Sequence, residues 1–391
     1  MRVLSGLDVL QKQAFAPLRG LRVGLVTHPA AVNAELRHAA EILAEAPQVR
    51  LATLFGPEHG FMGEAQDLIG VQENRDARSG LRVYSLYGDT VDSLRPTQEQ
   101  LHGLDALVID LQDIGSRYYT FQATMLLCLE AASHYKLRTI ILDRPNPLGG
   151  VAVEGPALRQ DFQSFVGIHP IATRHGMTIA ELARMYQHER HIGGDLQIVP
   201  CEGWRRNLEF EQTGLPWVLP SPNMPTMDTA FVYPGHCLLE GTSLSEGRGT
   251  ARPFELCGAP WIDARSLAER LREAQLPGVV FRAVSFRPTF HKFAGQTCGG
   301  VQVHVTDRQA FQPVQSGLTV LAALRDLSGA RFAWRREPYE FVADRLAIDL
   351  LFGSDRERLA LEAGSSPREI AQAWLPEEQE FRQRRQPFLL Y

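Results

Sequence analysis

Lysine and cysteine are scarce in this chain of 391 residues: there are three lysines (Lys12, Lys136 and Lys292) and five cysteines. Nearly every positive charge is therefore an arginine, which weakens any single arginine as a sign of function. The cysteines (Cys128, Cys201, Cys237, Cys257 and Cys298) are odd in number, widely spaced and form no Cys-x-x-Cys pair. They suit reduced, mostly buried thiols better than a disulfide framework or a zinc site. Long apolar runs are missing, so no membrane span is expected. The start, MRVLSGLDVLQKQAF, lacks the apolar stretch of a signal peptide. The expected location is the cytoplasm, or outside the cell if a leader was trimmed. A net charge of -5 and a pI near 6.2 give no electrostatic reason to expect nucleic acid or an acidic membrane. No G-x-G-x-x-G follows the first strand and no G-x-x-x-x-G-K-[ST] occurs, so no nucleotide cofactor is indicated. His188-Glu189-Arg190-His191 fails the zincin spacing, and the nucleophile elbow G-x-S-x-G is absent.

What is present is an ordinary globular composition, 44% hydrophobic and 22% charged. The length exceeds what one core usually serves, which predicts two domains, 1–235 and 236–391. Short apolar runs recur at Arg22 to Thr27, Val49 to Phe55, Leu81 to Leu86, Asp105 to Leu111 and Arg138 to Leu142. Helix-length or irregular connections separate them, which predicts an α/β fold: a Rossmann-like, doubly wound, mostly parallel sheet. Each run ends in polar groups: His28, Glu58 with His59, Tyr87 with Asp89, Asp110 with Asp113, and Arg144 with Asn146. A polar cleft along one sheet edge follows, since ligands of such sheets lie outside the carboxyl ends of the strands. DLQDIGSRYYTF (110–121) is the centre of this pattern, with Arg117, Tyr118 and Tyr119 crowding one strand end.

Further along, Thr178 and Glu181 form a capping box that opens a helix. The stretch Leu215 to Trp261 holds seven prolines and five glycines. That content argues against helix or central strand and predicts an irregular, aromatic wall lining the cleft, with Asn223, Glu240, Glu246 and Arg248 facing it. Beyond Asp263, a helix and two strand-like runs predict a smaller α+β domain. Ser366 and Pro367 open the last helix, and the charged run 376–386 reads as a solvated face.

These residues give the chain a resemblance to the exo-acting β-N-acetylmuramidases of the NamZ type, glycoside hydrolase family 171. It rests on GLVTHPAAVN (24–33), FGPEHGFMGEAQ (55–66), DLQDIGSRYYTF (110–121), LDRPNPLGG (142–150), VEGP (153–156), HGMTIAELA (175–183), PSPNMPT (220–226) and EGTSLSEGRGTARPFELCGAPW (240–261). His28, Met62 and Ser243 stand where Asn, Arg and Asn are usual. The resemblance implies a Rossmann-like catalytic domain and a smaller C-terminal domain. It also implies neither metal nor nucleotide, and release of N-acetylmuramic acid from the non-reducing end of peptidoglycan fragments.

Glycoside cleavage needs a carboxylic acid for the leaving oxygen and a second carboxylate as base or nucleophile. Glu58 is the expected acid, since Phe55 and Phe61 beside it favour the protonated form. Gly56 and Gly60 should let its backbone approach a sugar. Asp113 and Glu246 are the expected partners, with Asp110 orienting, and assistance by the substrate's acetamido group stays open. Arg117, Arg144 and Arg248 are candidates for the lactyl carboxylate of muramic acid, and Tyr118 and Tyr119 for its ring and acetamido group. His28, His59, Glu64, Asn146 and Asn223 complete the expected substrate-binding set. The alternatives are a non-catalytic sugar-binding module and, behind it, a cell-wall esterase or amidase, for which no Ser or Cys is paired by motif with a His. Oligomeric state has no signature in the sequence.

Overall fold

A computed structural model describes residues 2–63, 65–66 and 74–391. In chain order its strands are β1 (Arg22–Thr27), β2 (Arg50–Gly56), β3 (Asn74–Arg75), β4 (Arg82–Ser85), β5 (Ala106–Asp110), β6 (Arg138–Leu142), β7 (Glu154–Ala157), β8 (Ala172–Arg174), β9 (Leu196–Val199), β10 (Leu256–Ala259), β11 (Val279–Phe286) and β12 (Cys298–Val305). Seven form one sheet in the order β3-β4-β2-β1-β5-β6-β9, parallel throughout except where the short β3 meets β4. The chain runs outward from β1 through β2 to β4, then returns to place β5 on the other side of β1. That reversal opens the crevice at which doubly wound sheets bind ligands.

Strand β5 explains why the sheet is doubly covered. All five of its residues are buried. Leu107 and Ile109 join one apolar cluster with Phe121 and Met125, whereas Ala106 and Val108 join another with Leu7, Leu25 and Ile42. Alternate residues thus serve opposite faces, as a strand's period of two requires. The helix Phe121–His134 covers the first face, and Ile179–Glu189, opened by the expected Thr178 capping box, packs beside it. The five apolar runs fall within a residue of the observed strands. β9 went unanticipated because four residues, three of them partly exposed, carry no length or alternation to mark them.

A second, smaller unit carries the antiparallel sheet β10-β12-β11 and the helices Ala264–Glu273, Pro313–Ser328 and Pro367–Arg385. Two expectations fail here. The Pro- and Gly-rich wall contains the helix Met227–His236, capped by Thr226, as well as β10. Its Pro234-Gly235 pair, which reads as a break, serves a helix crossing: a methyl added at Gly235 would lie 1.8 Å from the carbonyl oxygen of Pro313. The second failure is at 376–386, which is not simply a solvated face. Arg385 is 4% exposed and donates to the carbonyls of Val151, His175 and Gly176, docking the last helix onto the first half of the chain. All five cysteines are buried and unpaired. Among the described residues no helix is long and apolar enough to cross a membrane.

Candidate active site

The strand ends at the reversal build the floor of the crevice. His28, after β1, accepts a hydrogen bond at Nε2 from the Gln112 amide (2.9 Å). Its Nδ1 carries the proton and donates to the carbonyl of Pro220 (3.2 Å). Burial, with Arg144 nearby, pushes its pKa well below the ordinary value, so it is a neutral peg joining β1 to the segment after β5. Asp110 at the end of β5 receives the Arg144 guanidinium on both oxygens, at 2.5 and 2.9 Å, and Arg144 also donates to the carbonyl of Val32. Both residues are buried.

Glu58 follows β2 on a turn that doubles back tightly. A Cβ at Gly56 would lie 2.5 Å from the Phe61 nitrogen, and His59 and Gly60 both hold left-handed backbone, at φ 70° and 84°. The glycines therefore let the turn fold onto itself, rather than bringing backbone to a ligand. Glu58 is 6% exposed, and Oε2 accepts from the Thr120 hydroxyl at 2.7 Å.

The Glu58 side chain lines a narrow, partly open pocket with about 30 Å³ free between its side chains. Around it stand His59, Tyr118, Tyr119, Asn223, Tyr233, Glu240, Arg248, Phe254, Tyr339 and Glu340. Arg248 is held by Glu240 at 2.6 Å and lies over the Phe254 ring, 5.0 Å from its centroid. Tyr339 donates to the other Glu240 oxygen at 2.7 Å. His59 Nδ1 donates to the carbonyl of Ala65 (2.9 Å), and Asn223 donates to Gln66 (2.8 Å). The Tyr119 phenol is pushed well above its ordinary pKa, chiefly by burial, and the carboxylates of Asp113 and Glu58 push it the same way. It is a hydroxyl donor at any working pH.

Seven of the residues expected from sequence meet at this pocket: Glu58, His59, Tyr118, Tyr119, Asn223, Glu240 and Arg248. Others do not. Arg117 is 0% exposed and donates to four carbonyls, of Pro156, Ile171, Leu351 and Phe352, so its fork is closed to a lactyl carboxylate. The Arg144 fork is likewise occupied by Asp110, and His28 is the peg already described. Asn146 donates to the carbonyl of Met177 and accepts from the Leu148 amide, which makes it the lock of a turn.

Glu246 is 0% exposed, with His291 at 3.0 Å, Lys292 at 2.9 Å and Arg248 at 3.8 Å. Burial alone would raise its pKa, but Lys292, His291 and Arg248 outweigh burial and hold it far below the carboxylate range. It is held ionised among those neighbours. Asp113 accepts from the Gly115 amide at 2.6 Å and faces His175 at 3.4 Å through Oδ2, while its buried Oδ1 makes no hydrogen bond. It lies outside the cavity wall. Glu64 falls outside the described residues.

Sequence reading missed Thr120, Tyr339 and Glu340, whereas Tyr233 is one of the aromatics expected in the wall. The YYT run at 118–120 could have suggested the first. The last two sit in a stretch, REPYEFVAD (336–344), with no motif to mark it.

Two family models cover the chain almost end to end: the N-terminal model of the exo-β-N-acetylmuramidase NamZ matches residues 23–228, and its C-terminal model matches 231–391. The peptidoglycan β-N-acetylmuramidase NamZ of Bacillus subtilis (strain 168) is 45% identical over 390 residues, covering 100% of this chain and 92% of that one. Two crystal structures of DUF1343 family proteins from Bacteroides fragilis NCTC 9343 share the fold. One is 34% identical with a TM-score of 0.89, the other 29% identical with 0.79, and each alignment covers 100% of this chain and 99% of the other. By sequence and by fold alike, the chain belongs to the NamZ family of exo-β-N-acetylmuramidases.

Proposed function

We propose that this protein is an exo-acting glycosidase that frees N-acetylmuramic acid from the non-reducing end of peptidoglycan fragments, with Glu58 as the acid. One observation carries the reading: a buried carboxyl, held through one oxygen by a neutral hydroxyl, faces a narrow pocket walled by tyrosines and one arginine. In this reading Glu58 gives a proton to the glycosidic oxygen as the bond to C1 breaks, water adds its hydroxyl to C1, and the proton that water leaves behind restores the Glu58 carboxyl. With about 30 Å³ free, the lining side chains must part before a sugar ring enters.

Arg248 is the cation for the lactyl carboxylate. Of the three arginines considered it alone lines the cavity, and Glu240 and Phe254 fix its plane. Tyr119 supplies a hydroxyl for the acetamido carbonyl.

The test is turnover of a chromogenic β-N-acetylmuramide by the wild type and by Glu58→Gln. The wild type is expected to release the chromophore, and the variant to lose about 10² to 10⁴ in kcat with its fold intact. Binding without turnover in the wild type would instead make the protein a sugar-binding module.

A further inference from the structure

Two neighbouring residues of the smaller unit hold a backbone conformation that their side chains disfavour. Glu340 has φ 47° and Phe341 φ 68°, both in the left-handed region. They form the tip of a two-residue hairpin closed on both sides: the Tyr339 amide donates to Val342 at 2.9 Å and the Val342 amide to Tyr339 at 3.0 Å. Turns with two left-handed centres ordinarily carry Asn-Gly or Asp-Gly. Here a glutamate and a phenylalanine occupy them, and such strain persists only where the surroundings enforce it, commonly at functional sites.

The surroundings are visible. Tyr87, just beyond β4 of the main sheet, donates its hydroxyl to Glu340 Oε2 at 3.0 Å, and its ring meets Phe341 with centroids 5.6 Å apart. Phe165 packs against both rings, 5.9 Å from Tyr87 and 6.4 Å from Phe341. A tip from the far end of the chain is thus stapled to the edge of the main sheet. The result is that Glu340, 7% exposed, lines the same cavity as Glu58.

The cavity therefore holds three glutamates with different surroundings. Glu58 is bound by a hydroxyl, and Glu240 is engaged by Arg248 and Tyr339. Glu340 enters on a separate element, with Tyr87 on one oxygen. Resting on the glycosidase reading above, we propose that Glu340 is a specificity-determining residue that accepts a hydrogen bond from the 4-hydroxyl of the terminal sugar. That hydroxyl is free only at a non-reducing end, because within a β-1,4-linked strand it forms the next glycosidic bond. Glu58 works at C1. A carboxyl brought to the pocket by another element is suited to the far side of the ring.

The test compares the wild type with Glu340→Gln and Glu340→Asn on a chromogenic β-N-acetylmuramide and on its 4-deoxy analogue. On the parent substrate Glu340→Gln is expected to raise KM roughly 10- to 100-fold, with kcat within a few-fold of the wild type. On the 4-deoxy substrate the two proteins should have the same KM. Glu340→Asn, which suits left-handed backbone, should keep or raise the thermal midpoint while losing affinity, an outcome that a merely structural role would not give.

Equal weakening on both substrates would overturn the assignment, as would a fall in kcat larger than the rise in KM. Should the wild type turn nothing over, calorimetry with the methyl β-glycosides of N-acetylmuramic acid and its 4-deoxy form keeps the questions apart. The hydrolytic reading would then fail, while dependence of binding on the 4-hydroxyl, present in the wild type and lost in Glu340→Gln, would still uphold Glu340. Its absence from the wild type would overturn it.

Discussion

Glu58 and Glu246 are both buried carboxylates, yet Glu58 meets a neutral hydroxyl and lines the pocket, whereas Glu246 lies among Lys292, His291 and Arg248 and does not line it. A charge surrounded by opposite charges is fixed in one ionisation state, and its work is to hold its neighbours in place. The Glu58 carboxyl accepts from one hydroxyl among the described residues and faces the pocket. The difference separates a pocket-lining group from an anchor, and it also orders the arginines. Arg117 sits among four carbonyls as an anchor, and Arg248 stands at the cavity as a contact.

The sharpest way to break this comparison is Glu246→Gln. Removing the anion leaves Lys292 and Arg248 without it in a buried site, and loss of one partner of a buried ion pair costs ~3–5 kcal/mol. A large fall in the thermal midpoint is expected, in contrast to Glu58→Gln, which should leave the midpoint almost unmoved. The pH dependence carries the same sign. With its folded pKa depressed, Glu246 stabilises the fold fully above the unfolded value near ~4.3, and that stabilisation is lost as pH falls further toward the folded value. The variant's stability should therefore fall less steeply below about pH 4, as acid unfolding followed by circular dichroism would record.

A smaller effect sharpens the arginine pair. Arg248→Ala should weaken muramides roughly 10- to 100-fold more than the matching glucosaminides, the span of a charge-assisted contact. Arg117→Met should lower stability and affect the two substrates alike. Equal losses on both substrates for Arg248→Ala would remove it from the lactyl site. The smallest expected change is at Thr120→Val, which deletes the hydroxyl on Glu58. About 1 kcal/mol of positioning, or five- to tenfold in kcat, should go with little change in KM.

The parallel sheet was legible in the sequence because strands buried on both faces are continuous apolar runs with abrupt polar ends, and β1, β2, β4, β5 and β6 all have that form. Glu58, Tyr119 and Arg248 were legible for a related reason, since strand ends and a Pro- and Gly-rich wall border a crevice. Charge bookkeeping within the fold was not legible. Nothing in the order of residues says that Arg117 points among carbonyls 234 and 235 positions away, or that Lys292 reaches Glu246 across 46. Glu340 was invisible for the same reason, because its place depends on a distant hairpin meeting Tyr87.

The Arg117 clamp bears on how this architecture can vary. Two of its acceptors, Pro156 and Ile171, precede the junction near residue 230, and two, Leu351 and Phe352, follow it. Severing the chain there would orphan a fully desolvated guanidinium and strip the pocket of Arg248, Tyr339 and Glu340. Neither piece is a stand-alone enzyme on this geometry. A chimera joining halves of two relatives would inherit a working pocket only if the incoming half presented its backbone oxygens to that one arginine.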